Sequence, residues 1–117
     1  MSTAHMTTIT RAALVALSLT AAVFAQSASA GGDAERGKAK SATCAACHGP
    51  DGNSASPDFP RLAGQNADYI QHVLAHYKAG AKRKNPIMAG MAAALSEQDM
   101  ADLAAYFSSQ QGLYVKY

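Results

Sequence analysis

The run Cys44-Ala45-Ala46-Cys47-His48 sets two thiols and one imidazole within five residues. On a helix, positions three and four apart share a face, so these three side chains can address one flat object from a single turn. Upstream, Asp33 is a capping residue and Glu35 puts a negative charge in the first turn, which predicts one helix from Asp33 to about His48. Downstream, the stretch from Gly49 to Gly64 is crowded with turn formers: Pro50, Asp51, Gly52, Asn53, Ser54, Pro57, Asp58 and Pro60. No apolar periodicity survives there, and an irregular segment this long in a small domain is expected to wrap a ligand or belong to a site.

Two cysteines in 117 residues, three positions apart, exclude the scattered pairs of a disulfide framework. A Cys-x-x-Cys thiol redox centre follows a strand in an α/β unit, and no strand pattern precedes Cys44. Zinc fares no better, because Cys44, Cys47 and His48 lie too close in sequence to encircle an ion and no second cysteine pair completes a tetrahedron. The spacing that remains is that of covalent haem attachment, in which two thiols add across the porphyrin vinyl groups as thioethers and the imidazole approaches the iron. A large planar group also answers a packing problem, since a chain this short has a poor ratio of core to surface.

The rest of the chain reads as helix and loop. Asn66 or Asp68 opens a second helix in which Ile70, Val73, Leu74 and Tyr77 recur at helical spacing, and Gly80 closes it. A second loop, Ala81 to Leu95, holds the basic run Lys82-Arg83-Lys84, then Asn85-Pro86, then Met88 and Met91. Ser96 followed by Asp99 is a capping-box pattern, and Met100, Leu103, Ala104 and Phe107 mark one face of a last helix before Gly112. No segment alternates like a strand, so the expected fold class is all-α.

At the N-terminus, Arg11 precedes the apolar run Ala12 to Ala25, and Ala28-Ser29-Ala30 offers small residues to a signal peptidase. That run is shorter than the roughly 20 residues of a spanning helix, so residues 1–30 are expected to be a cleaved secretory signal and 31–117 a single domain in the periplasm. The formal net charge of +2 is too mild for nucleic acid, whose phosphates demand a concentrated basic stripe. His72 and His76 are four apart on the second helix, where they read as solvent-facing rather than as a metal pair.

With these features in hand, the sequence resembles the class I c-type cytochromes, in particular the small bacterial cytochrome c553 type and single domains of periplasmic dihaem cytochromes. The match covers almost all of the chain beyond residue 30. It is carried by Cys44 to His48, by His48-Gly49-Pro50-Asp51-Gly52-Asn53, and by Phe59-Pro60-Arg61-Leu62-Ala63-Gly64-Gln65. Met88-Ala89-Gly90-Met91 and Leu95-Ser96 leading into Leu103-Ala104-Ala105-Tyr106-Phe107 complete it. The resemblance implies one covalent haem c and a compact domain whose first and last helices cross, with close approach at Gly37 under Leu103 or Tyr106. It also implies that the Pro60 carbonyl accepts a hydrogen bond from His48. Arg61 beside it could pair with a haem carboxylate or stand as an exposed arginine on the loop, and the sequence does not separate the two.

Iron held by His48 needs a sixth ligand or an open position. Met100 lies on the core stripe of the last helix, where methionine fills space. Met88 and Met91 sit in the second loop, and the residues themselves do not separate them. The resemblance selects Met88, two residues before Gly90, with Met91 packing beside it. A His/Met iron is closed to substrate, so the resemblance implies an electron carrier rather than an enzyme, with no small-molecule substrate. Its partners would be periplasmic or membrane-bound redox proteins docking transiently at the haem edge, toward which Lys82, Arg83 and Lys84 could steer an acidic surface. The alternative is the haem-bearing subunit of a periplasmic oxidoreductase such as a sulfur-compound dehydrogenase.

Overall fold

The computed structural model describes residues 31–112, and among them there are five helices and no strand. The expected signal segment, 1–30, lies outside the described residues. The helices are α1 (Ala34–Lys40), α2 (Ala42–His48), α3 (Ala67–Ala79), α4 (Pro86–Ala93) and α5 (Glu97–Ser108). None of them is long and apolar enough to cross a membrane.

Two expectations need correction. The first helix is broken at Ser41 into α1 and α2. The Ser41 backbone N–H and Oγ–H both donate to the Lys38 carbonyl, at 3.2 and 2.8 Å, tightening the turn to three residues. Serine competes in this way with the regular ladder, and periodicity alone does not register it. The second correction lies between Ala81 and Leu95, where a helix forms instead of a continuous loop. Asn85 Oδ1 accepts from the Ile87 and Met88 N–H groups, and Pro86 follows where its missing donor costs nothing. The residues of α4 are apolar almost all round, so no amphipathic stripe announces the helix.

Where α1 crosses α5, Gly37 is the point of contact. A Cβ at this position would lie 2.0 Å from the Asp102 carbonyl oxygen and 2.8 Å from Tyr106 Cβ, so only hydrogen fits. The expected close approach is there, with Tyr106 and the Asp102 backbone over it. Leu103 instead joins Ile70, Ala104, Tyr106 and Phe107 in the buried core, against which Cys44, Leu62, Leu74 and Leu95 pack.

The crossing is pinned by a carboxylate. Asp102 is fully buried and accepts from Asp33 N–H (2.8 Å), Arg36 Nε (2.9 Å), Arg36 Nη2 (3.0 Å), Gln98 Nε2 (2.9 Å) and Lys40 Nζ (3.2 Å). The Arg36 hydrogen bond above all holds its carboxyl well below the usual carboxylate range, against the opposing effect of burial. The expected capping box of α5 is present, with Ser96 Oγ accepting from Asp99 N–H and Asp99 Oδ2 accepting from Ser96 N–H.

The long loop is strapped onto α5 rather than left free. Gly52, at φ +83°, turns its carbonyl to the N–H groups of Leu62 and Ala63. Tyr106 Oη donates to the Pro50 carbonyl at 2.9 Å, and Gly64 N–H to the Phe107 carbonyl at 2.9 Å. These bonds fix the stretch that carries Pro60 against the end of α2.

Candidate functional site

A cavity of about 600 Å³ opens beside α2. Its wall is mostly apolar: Leu62, Ile70, Val73, Leu74, Leu103 and Phe107 on one side, Ile87, Met88 and Met91 on another. Cys44, Cys47 and His48 all line it, so the sequence-predicted residues of α2 and the methionines of α4 meet around one space. The cavity falls within the range that encloses a large organic ligand with a few convergent polar groups.

His48 is 6% exposed, and its Nδ1 lies 2.7 Å from the Pro60 carbonyl oxygen. A carbonyl can only accept, so Nδ1 carries the proton and the Nε2 lone pair is left for a metal. The Phe59 ring meets the imidazole edge-on at 6.4 Å, further limiting its rotation. The hydrogen bond that the resemblance implied for Pro60 is thus present.

The two thiols are not joined to each other. Burial pushes the Cys44 thiol up, the opposite of the depressed value that a thiol redox centre requires. Met88 and Met91 are three apart on α4 and both line the cavity. Met91 is 50% exposed whereas Met88 is half-buried, and Met88 sits in the first turn, fixed by Asn85. Met100 is buried in the α5 core and does not line the cavity.

The donor set fits an iron porphyrin. Two thiols and an imidazole on one turn, a thioether from a second element, and an apolar space between them suit covalent attachment and His/Met ligation of a flat macrocycle. A cytochrome c family model matches residues 34–111, and the chain belongs to the cytochrome c family. It is 50% identical over 107 residues to cytochrome c4 of Azotobacter vinelandii, a match covering 85% of this chain and 50% of that protein. It is 44% identical over 82 residues to cytochrome c-554(548) of Halomonas halodenitrificans, covering 68% of this chain and 99% of the relative. The crystal structure of reduced recombinant cytochrome c4 from Pseudomonas stutzeri superposes with a TM-score of 0.67 at 51% identity, over 70% of this chain and 47% of that one. The chain therefore spans about half the length of the cytochrome c4 relatives it matches. As a class I c-type cytochrome domain, it carries one covalently bound haem c.

Sequence reasoning missed the roles of Asn85 and Arg83 at this site. Asn85 has a role, as the cap that sets the first turn of α4 and with it Met88. Arg83 is not simply part of a basic turn, because it lines the cavity with its guanidinium 5.8 and 5.7 Å from the Tyr69 and Tyr77 ring centroids. Arg61 lines the cavity on an exposed loop. His72 is exposed with Nδ1 2.9 Å from the Asp68 carbonyl oxygen, away from the cavity.

Proposed function

We propose that the chain is a periplasmic one-electron carrier, exported by residues 1–30, with Cys44 and Cys47 as the thioether attachments of haem c and His48 and Met88 as its axial ligands. The observation that carries this reading is the convergence of those four side chains on one apolar cavity, with His48 Nδ1 tied to the Pro60 carbonyl. When bound, haem c supplies an iron centre that holds or gives up one electron.

The chain's own residues set how that centre behaves. The Pro60 carbonyl fixes the His48 tautomer and ring plane and raises the basicity of Nε2. Met88 would contribute a soft, neutral sulfur, which favours reduced iron relative to a second imidazole. Asn85 holds the turn of α4 that carries Met88. Leu62, Ile70, Leu74 and Phe107 exclude water from the interior. With His48 and Met88 both holding the iron, no place would be left for a substrate.

Phe59, Tyr69, Ile87 and Met91 are exposed along the cavity, and this rim is where larger periplasmic or membrane-bound redox proteins would dock. Contacts of such limited area suit transient encounters, with Lys82 and Lys84 able to steer an acidic partner. The attachment claim is tested with Cys44→Ser, Cys47→Ser and the double variant, each denatured and extracted with acid. Loss of haem from the double variant is expected, and retention at the wild-type level would overturn the assignment. Mass spectrometry of the exported protein should give a chain beginning at Gly31 with one haem added.

A further inference from the structure

Two imidazoles stand together on α3 outside the cavity. His72 and His76 are four residues apart, so they share one face of the helix, one turn above the other. Their ring centroids are 6.3 Å apart and the planes meet at 60°. Solvent exposure, expected from the sequence, holds for His72, whereas His76 is half-buried, and neither lines the cavity. The structure adds how the first ring is held. His72 Nδ1 lies 2.9 Å from the Asp68 carbonyl oxygen. A carbonyl only accepts, so Nδ1 carries the proton and the Nε2 lone pair is left unspent. The Pro60 carbonyl imposes the same arrangement on His48, and an imidazole whose far nitrogen is tied in this way is oriented as a metal ligand. Among the described residues no hydrogen bond occupies the His76 ring, which keeps a lone pair of its own.

The surroundings tolerate a cation. Asp68 lies one turn before His72, and His76 stands in the last turn of α3, where the helix dipole favours positive charge. The positive side chains nearest in sequence are engaged elsewhere: Lys78 donates to the Leu95 carbonyl, and Arg83 stacks on Tyr69 and Tyr77. Two imidazole nitrogens holding an ion at about 2.0–2.1 Å set their ring centroids about 5 Å apart, so the present 6.3 Å asks for a closure of about 1 Å. Side-chain rotation at the surface supplies it. No third carboxylate, thiol or imidazole joins the pair among the described residues, which makes the place open and exchangeable rather than a closed structural tetrahedron.

We propose that His72 and His76 form a bidentate surface site for a divalent transition-metal ion of the Zn²⁺ type, with water completing its coordination. Imidazole suits Zn²⁺, Cu²⁺ and Ni²⁺, whereas Mg²⁺ and Ca²⁺ take oxygen donors, so the donor type itself selects the class of ion. The site is separate from the cavity and does not depend on what fills it. Because the two rings come together only on the folded helix, a bound ion stabilises the fold, and the unfolding midpoint rises with the concentration of free ion.

The test uses the full exported holoprotein and Zn²⁺ alone, an ion with no redox chemistry of its own to disturb the haem. Isothermal titration calorimetry of the wild type, His72→Gln, His76→Gln and the double variant reads the affinity, and nitrogen NMR of the histidine rings in the reduced protein shows which atoms are ligated. The wild type should take up one Zn²⁺ at this pair, with the His72 Nε2 and a His76 nitrogen shifting and His48 unmoved. Each single variant should bind about tenfold or more weakly, since even the outer partners of a metal ligand act on that scale. The double variant should lose this binding, and its unfolding midpoint should no longer rise with Zn²⁺. If His76→Gln, at the half-buried position, yields too little protein, His72→Gln carries the same comparison. Equal affinity in the wild type and the double variant would put the ion elsewhere on the chain and overturn the proposal. A wild type that takes up no Zn²⁺ at millimolar concentration would overturn it as well.

Discussion

Asp102→Asn would strike the bond that locks α1 onto α5, and the structure fixes the size of the effect. The amide keeps one oxygen, which can serve Asp33 N–H, Arg36 Nη2 and Gln98 Nε2 as Oδ1 does now. In place of Oδ2 it presents an NH₂ group to Arg36 Nε and Lys40 Nζ, so two charge-assisted bonds are lost and donors face donors. Hydrogen bonds to charged groups are worth about 1.5–3 kcal/mol net in buried settings. Here the Arg36 and Lys40 side chains are 52% and 37% exposed, so water recovers part of that and about 1 kcal/mol per bond remains. Adding the mismatch of donors, the expected loss is about 2–3 kcal/mol at neutral pH.

The pH dependence has a definite sign. The Asp102 carboxyl is held below its ordinary value of 3.8, so its contribution is complete well above that value and is lost as acid protonates the folded carboxylate. Asp99 behaves alike, held down at about 2 chiefly by the Lys40 hydrogen bond, and this carboxyl is present in both proteins. The gap between wild type and variant should therefore narrow below about pH 4. Guanidinium unfolding of the holoprotein, followed by far-ultraviolet circular dichroism at neutral and acidic pH, measures both quantities. A deficit below about 0.5 kcal/mol at neutral pH, or one that stays constant into acid, would refute the reasoning.

Gly37→Ala should cost about 3 kcal/mol or more by the same assay, because its methyl group would press on the Asp102 backbone rather than on a side chain that can turn away; a nearly neutral change would mean the helices separate easily. Met88→Ala should lower the reduction potential and let carbon monoxide bind the reduced iron, whereas Met91→Ala should do neither; the reverse pattern would move the axial ligand to Met91. Asn85→Ala should cost about 1 kcal/mol through loss of the α4 cap, with a measurable rise in the rate at which the sixth ligand is displaced by imidazole.

Features that depend on a few adjacent residues were legible in the sequence. The Ser96 and Asp99 capping box, the Asn66 start and the Gly80 stop of α3 are local chemistry, and all three stand in the structure. Cys44, Cys47 and His48 were equally plain because one helical turn fixes their relation. What stayed hidden depends on partners distant in sequence, or on a helix lacking a polar face. Ser41 looks like any small residue until its hydroxyl turns back to the Lys38 carbonyl. The Asn85-Pro86 pair was the available signal for α4, but the uniformly apolar residues after it obscured the period. Asp102 could have been suspected as an acid between Ala101 and Leu103 on a core-facing helix, yet Arg36 and Lys40 become its partners only once α1 crosses α5. Arg83 read as one of three basic residues because nothing local ties it to Tyr69 and Tyr77.

The central claim is a haem c closed on both sides by side chains of this chain, and the visible absorption spectrum of the purified protein tests it most directly. Spectra would be recorded oxidised and reduced, then reduced under carbon monoxide. A sharp low-spin reduced spectrum unmoved by carbon monoxide, with the weak oxidised band of an iron–thioether bond, is the predicted result. A high-spin spectrum that shifts when carbon monoxide is added would contradict it, since the iron would then have an open position.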